Sequence, residues 1–285
     1  MQPLKKPLKV EFYIGSICWG VREKLRKEVS KMSEIKAIFF DQDGVIIDTE
    51  KDGHRVAFNE MFKEFGYDFQ WDIDKYHELL QVSGGKERMR HYFHEEGILP
   101  DLTGEEEAEL LLKLHKRKTE IFVNLIESGK LPLRTGIKRF MQEALESGLI
   151  IGVCTTANIR SANAIAKGML HDIKFEFVLA GDIVSKKKPD PAIYLLALEK
   201  TGLKPEECIV IEDSRNGVIS AKKAGMYIVA TTNIYTEDED LSEADIVVTS
   251  LGDPDGKKGI LKQDGEKLGF DGVLKVEQLL KYFSS

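Results

Sequence analysis

The stretch Ala37-Ile38-Phe39-Phe40-Asp41-Gln42-Asp43-Gly44 sets an unbroken apolar run directly against two carboxylates and a glycine. From Lys36 to Phe40 the run is too short for a helix. It also lacks the in-out alternation of a strand with one wet face, so it reads as a strand buried on both sides. Strands of that kind build the parallel sheet of an α/β protein. The same character returns in Leu149 to Cys154, Phe175 to Leu179, Cys208 to Ile211, Met226 to Thr231 and Asp245 to Val248, each separated from the next by a longer segment. The expected fold is α/β, a doubly wound, Rossmann-like parallel sheet.

One interval breaks the alternation. From Gly53 to Lys130 the pattern is helical throughout, with one stripe in Val56-Ala57-Met61-Phe62-Phe65 and another in Leu110-Leu111-Leu114 with Ile121-Phe122. A helical cap domain, residues 53–130, is therefore expected inside a core formed by 32–52 and 131–285. The tail from Gly252 to Gly272 reads as irregular surface before a last helix, Val276 to Phe283. Residues 1–31 stand apart, with eight basic residues against three acidic ones. Glu11, Glu23 and Glu28 do not suit a transit peptide, and no secretory pattern is present. Lys27-Glu28-Val29 can be encoded as a strong prokaryotic ribosome-binding sequence ahead of Met32, so one expectation is that translation starts at Met32. The other is an amphipathic helix from Val21 to Lys31.

The chain of 285 residues has a formal net charge of -7 and no basic stripe, which argues against a nucleic-acid partner. No apolar run approaches membrane-spanning length, so no membrane partner is expected either. Cys18, Cys154 and Cys208 have no metal-type spacing and read as reduced, which suits a cytoplasmic protein, or a plastid one if the source is a plant or alga.

Ligands of an open α/β sheet bind beyond the carboxyl ends of its strands. Asp41 and Asp43 follow the first run, Thr155 and Thr156 the second, and Glu212 and Asp213 the fourth, while Lys188 precedes the stiff Pro189-Asp190-Pro191. Converging carboxylates need a cation, and an all-oxygen set selects a hard one such as magnesium. A lysine and a hydroxyl beside it suit a phosphoryl group. Asp41 can then attack phosphorus, and Asp43 can protonate the leaving oxygen and later activate water. Taken singly, Asp-x-Asp-Gly is a common turn and Glu-Asp-Ser a helix cap. It is their order, each at a strand end, that points to chemistry.

This set resembles the haloacid dehalogenase superfamily from residue 35 to about 250. The motifs are Asp41-Gln42-Asp43-Gly44-Val45, Thr155 after Ile150 to Cys154, Lys188-Pro189-Asp190-Pro191-Ala192-Ile193-Tyr194, and Ile211-Glu212-Asp213-Ser214-Arg215-Asn216-Gly217. The resemblance implies Asp41 as nucleophile and Asp43 as general acid/base. It also implies magnesium held by Asp41, the Asp43 carbonyl and Asp213 with Glu212 assisting, and the phosphoryl group held by Thr155 and Lys188. Asp43 argues against carbon-halogen cleavage, because the superfamily's dehalogenases lack an acid/base there. The insert is similar to the cap of the β-phosphoglucomutase-like branch. Ser83-Gly84-Gly85-Lys86-Glu87-Arg88, Leu114-His115-Lys116-Arg117-Lys118 and Glu50-Lys51-Asp52-Gly53-His54-Arg55 resemble the CbbY-type xylulose-1,5-bisphosphate phosphatases.

The implied substrate contacts are Asp48, Glu50, His54, Gly84, Gly85, Lys86, Glu87, Arg88, His115, Lys118, Thr156, Asn158 and Arg160. Asn158 and Arg160 could equally begin a helix, and Lys116 and Arg117 could be surface charges. His91 and His94, with Glu95 and Glu96, are a weak candidate for a second metal. The expected activity is magnesium-dependent hydrolysis of a sugar phosphate or bisphosphate, most specifically xylulose-1,5-bisphosphate, through an aspartyl-phosphate intermediate, the protein acting as a monomer on a small phosphorylated sugar. The alternatives are a mutase that returns the phosphoryl group to the same sugar, and a non-catalytic sugar-phosphate binding module.

Overall fold

The computed structural model describes residues 34–82, 84–99, 102–263 and 268–284. The segment 1–31, the start at Met32, the helix from Val21 to Lys31, Cys18 and Ser83 lie outside the described residues.

The sheet contains β1 (Ala37–Phe40), β2 (Ile150–Cys154), β3 (Phe177–Leu179), β4 (Cys208–Glu212), β5 (Tyr227–Thr231), β6 (Ile246–Val248) and β7 (Leu261–Gln263). Their order is β3-β2-β1-β4-β5-β6-β7, and only β7 runs antiparallel. Phe40 registers with Val153 on one side and Ile211 on the other. Successive side chains point to opposite faces, and both faces are covered: Ile38 and Phe40 enter one core cluster, Ala37 and Phe39 the other. That double burial is why the strand sequence shows no alternation. The cluster containing Ile38 and Phe40 continues without a break into the helical insert.

Between β1 and β2, a π-helical turn, Thr49–His54, leads into α1 (Arg55–Glu64), followed by α2 (Ile73–Leu79), α3 (Gly85–Glu95) and α4 (Gly104–Glu127). α4 begins in a capping box, in which Thr103 Oγ1 accepts from Glu106 N and Glu106 Oε2 accepts from Thr103 N at 3.0 Å. The insert is held by packed rings, Phe58, Phe62, Trp71 and Phe93 being fully buried. The Asn59 side chain clamps the Trp71 backbone through two bonds of 2.8 Å. Outside the insert lie α5 (Ile137–Glu146), α6 (Ile159–Ala164), α7 (Ala192–Thr201), α8 (Arg215–Lys223) and α9 (Val276–Phe283). Among the described residues no helix is long and apolar enough to cross a membrane.

One expectation is corrected. The stretch 252–272 is not wholly irregular, because Leu261–Gln263 pairs with β6 as an edge strand, its register shifting between Val247 and Val248. An edge strand of three residues with one apolar side chain leaves no periodic signal. The run from Phe175 is also shorter as a strand, beginning at Phe177.

Candidate active site

β1 lies between β2 and β4, where strand order reverses and an open sheet leaves a crevice at its carboxyl edge. Asp41 N donates to Ile211 O at 2.9 Å, so sheet pairing runs one residue past β1 and carries the Asp41 carboxyl over that edge. The chain then turns at Gly44 with φ 76°. A side chain there would run into the Asp213 carboxylate and Asn233, so this close approach requires glycine.

Lys188 is the centre of the cluster. Its Nζ donates to Asp41 Oδ1 at 2.6 Å, to Glu212 Oε1 at 2.6 Å and to Cys154 O at 3.0 Å. The buried Tyr194 hydroxyl donates to the same Glu212 oxygen at 2.6 Å. Asp213 Oδ2 accepts from Asn233 Nδ2 at 2.7 Å. Arg134 supplies the other nearby cation, its guanidinium donating to the carbonyls of Gly44, Thr231, Thr232 and Thr249 and so tying together the ends of β1, β5 and β6. Thr155 follows β2, its N donating to Leu179 O at 2.9 Å and its Oγ1 accepting from Ala157 N at 3.0 Å.

Asp41, Glu212 and Asp213 each offer an oxygen within 4.8 Å of the others, and all three are buried. Burial pushes the Asp41 carboxyl up to about 8, with Lys188 opposing and Glu212 and Asp43 adding to the rise. Asp213 is driven well above the carboxylate range by burial, then by Glu212 and Asp41. Burial also works against the Lys188 ammonium, but the charges of Asp41 and Glu212 outweigh it and leave its pKa raised. Burial and mutual repulsion leave Asp41 and Asp213 holding their protons, because ionised these carboxylates would carry more negative charge than Lys188 and Arg134 offset. An all-oxygen set in that condition fits a hard divalent cation such as magnesium. Asp43 points its carboxyl at the insert instead, where Thr49 Oγ1 donates to it at 2.9 Å. Burial raises Asp43 against the hydrogen bonds from Thr49 and Gln42, in the direction a proton donor needs.

Asp41, Asp43, Thr155, Lys188 and Asp213 open onto a cavity of about 290 Å³, whose wall also includes Thr156, Asp48 and Glu50. Asp48 caps the π-helical turn through Lys51 N at 3.2 Å. Glu50 accepts from the Tyr76 hydroxyl at 2.6 Å, and Arg88 Nη1 donates to that hydroxyl at 3.1 Å. Deeper in the insert, Lys118 Nζ lies 2.8 Å from His54 Nδ1 and 4.4 Å above the Phe58 ring. Burial, then Lys118, Arg88 and His115, hold His54 well below its ordinary value, so the neutral ring accepts there, stacked 3.7 Å from Phe122. Burial lowers Lys118 to about 8, opposed by Glu50 and aided by Arg88. His115 is lowered by burial, Lys118 and Lys86. Its ring packs where a side chain on Gly85 would sit, and Gly84, with φ 92°, precedes α3.

Residues 35–225 match the haloacid dehalogenase-like hydrolase family. The chain belongs to it. This hydrolase is 48% identical to the CBBY-like protein of Arabidopsis thaliana over 76% of its own length and 70% of that protein's. It is 37% identical to protein CbbY of Cereibacter sphaeroides, over 79% and 96% of the two chains. Among solved structures, a mutant of CbbY from Rhodobacter sphaeroides in complex with xylulose-(1,5)bisphosphate superposes with a TM-score of 0.60 at 37% identity, over 76% of this chain and 94% of that one.

The fold of this family member places the expected residues unequally. Asp41, Asp43, Thr155, Thr156, Lys188, Asp213, Asp48 and Glu50 share one cavity. Glu212 is wholly buried behind it, holding Lys188. Arg88 and Lys118, both buried, form a separate basic pair beside the half-buried, neutral His54, linked to the cavity through Tyr76 and Glu50. Lys86 and Glu87 are exposed on α3. Asn158 caps α6, accepting from Arg160 N at 2.8 Å, and Arg160 pairs with Glu127 of α4 at 2.6 Å. Arg117 is taken up by Glu64 and Glu120 on the surface, and Lys116 is exposed. His94 meets Glu107 and His91 meets Glu95, so the two imidazoles do not converge on one ion. Sequence reasoning missed Arg134, Asn233 and Tyr235. Only Leu131-Pro132-Leu133, a stiff return to the sheet, hints at the first, and the other two sit in a loop after β5 with no motif of its own.

Proposed function

We propose that this phosphatase hydrolyses a sugar bisphosphate, xylulose-1,5-bisphosphate in particular, with magnesium as cofactor and residues 53–130 acting as a cap over a core of 32–52 and 131–285. The observation that carries the substrate class is the buried cationic group of Lys118 and Arg88, set apart from the transfer site. Among the described residues neither cation forms a salt bridge, and Glu50 is the one carboxylate that acts on both, so the group keeps an excess of buried positive charge that a non-reacting phosphate would balance. The likeness to a CbbY crystallised with that bisphosphate supports the choice of sugar.

Asp41, Glu212 and Asp213 would hold magnesium, which supplies positive charge to the phosphoryl oxygens. Lys188 fixes Asp41, and with Thr155 offers donors to those oxygens. An Asp41 oxygen forms a bond to phosphorus as the bond from phosphorus to the sugar oxygen breaks. Asp43 gives its proton to that leaving oxygen. In the second half, Asp43 as carboxylate takes a proton from water, the water oxygen bonds to phosphorus, and the aspartyl-phosphate bond breaks to return Asp41 and release inorganic phosphate. Thr49 steers the Asp43 carboxyl from the hinge of the insert.

The test is incubation with magnesium and either xylulose-1,5-bisphosphate or β-glucose-1-phosphate, assaying free phosphate and glucose-6-phosphate. Stoichiometric phosphate from the bisphosphate is the expected result. Rapid formation of glucose-6-phosphate without phosphate release defeats the proposal in favour of a mutase.

A further inference from the structure

A buried hydroxyl without a partner is destabilising, so one retained beside a catalytic cavity points to an absent partner. Among the described residues, the buried side-chain atoms without a hydrogen bond are Trp71 Nε1, Arg139 Nε, Ser250 Oγ and the Tyr235 hydroxyl. Of these residues, Tyr235 alone lines the cavity of Asp41, Asp43 and Lys188. Ser250 belongs to a neighbouring cleft at the hinge, Trp71 to the aromatic core of the insert, and Arg139 spends its other nitrogens on Glu143 and three carbonyls.

Tyr235 is positioned from both sides of that cavity. Its backbone N donates to Asn233 Oδ1 at 2.8 Å, and the Asn233 amide holds Asp213 at 2.7 Å. Its ring stands edge-on to Tyr76, with centroids 5.9 Å apart, and to His77 at 5.3 Å, both on α2. Tyr76 is itself fixed by Glu50 and Arg88. Burial raises the phenol's pKa, so the group stays a neutral donor through the physiological range. The charges acting on it begin with Arg55, which does not line this cavity, followed by Asp48 and Glu50, which do. Two carboxylates repel a phosphate at that wall and leave an uncharged oxygen as the suitable acceptor.

We propose that Tyr235 is a specificity-determining residue that donates its hydroxyl to an uncharged oxygen, a hydroxyl or carbonyl, of the sugar chain. This rests on the sugar-phosphate reading above. The test compares wild type with Tyr235→Phe on xylulose-1,5-bisphosphate and on acetyl phosphate, which has no sugar, together with the melting temperature of each protein. The kcat/KM ratio of bisphosphate to acetyl phosphate falls roughly five- to tenfold in the variant, carried by KM, as loss of one neutral hydrogen bond implies. The melting temperature does not drop, because the substitution deletes an unpaired buried hydroxyl. A ratio within twofold of wild type overturns the assignment, and with a lowered melting temperature it makes the hydroxyl purely structural. Wild-type protein that hydrolyses acetyl phosphate but no sugar phosphate defeats the sugar-phosphate reading, and this assignment with it.

Discussion

Asp41→Asn separates chemistry from the electrostatic cost of the site. The amide is nearly isosteric with the protonated acid, so it removes the proposed nucleophile and one buried charge without disturbing packing. The Asp41 carboxyl moves from its ordinary 3.8 up to about 8, chiefly through burial. With the pKa raised in the folded state, the unfolded chain gives up this proton near 3.8 and the folded one near 8. Between those values the folded state binds more protons, and stability falls as the pH rises. At ~1.4 kcal/mol per decade the loss is on the order of 5 kcal/mol across that window. In chelator, wild type therefore loses ground to Asp41→Asn from pH 4 to 8, by an amount of that order. Magnesium reverses the trend for wild type, because a ligand that binds only the folded cluster adds to its stability. Urea unfolding of both proteins at several pH values, with EDTA and then with magnesium, reads the gap directly. The variant's phosphatase activity falls roughly 10⁴-fold or more at every pH. A stability gap that does not change with pH in EDTA, or one that favours wild type at pH 8, refutes the reasoning.

Lys118→Met should raise KM for the bisphosphate roughly tenfold or more. Because burial lowers the wild-type ammonium to about 8, wild-type KM should itself rise above that pH while the variant's stays flat. A flat wild-type profile removes Lys118 from phosphate binding. Gly217→Ala would drive a methyl group into the Glu212 carboxylate and loosen its hold on Lys188. Thermal unfolding should show a loss of roughly 3 kcal/mol, and an unperturbed melting temperature would contradict the packing. Asn59→Ala strands the Trp71 N–H and leaves its carbonyl only Arg55 Nη1 at 3.3 Å, and urea unfolding should show roughly 1–3 kcal/mol less stability. A loss below 0.5 kcal/mol would mean that water serves those groups equally well.

The catalytic edge was legible because its parts are local. Asp41, Thr155 and Asp213 each follow a strand whose unbroken apolar run announces it, and topology alone brings such ends together. Lys188 was legible through its prolines. β7 was not, since Leu261-Lys262-Gln263 has a single apolar side chain and takes its place from β6. The long-range couplings were equally silent: Tyr76 to Glu50, Lys118 to His54 and Tyr235 to Tyr76 join residues far apart in the chain, each in a helix or loop whose local pattern is satisfied without the contact. Asn158 and Arg160 looked like ligand contacts because they follow a motif, but their side chains answer a nearer need, a helix N-terminus and Glu127.

The central place of β1 has a consequence for how the molecule is made. Among the described strands β1 leaves the ribosome first, yet its partners are β2 and β4, and Lys36 at its edge pairs with Glu207, 171 residues later. Such distant pairing closes large loops and is slow. A nascent chain can complete its helical insert long before Glu212 and Asp213 exist, so Asp41 waits without its companion carboxylates for about 170 residues of further synthesis. On the proposed roles of Glu212 and Asp213, a message cut short before those codons would yield no partly active hydrolase.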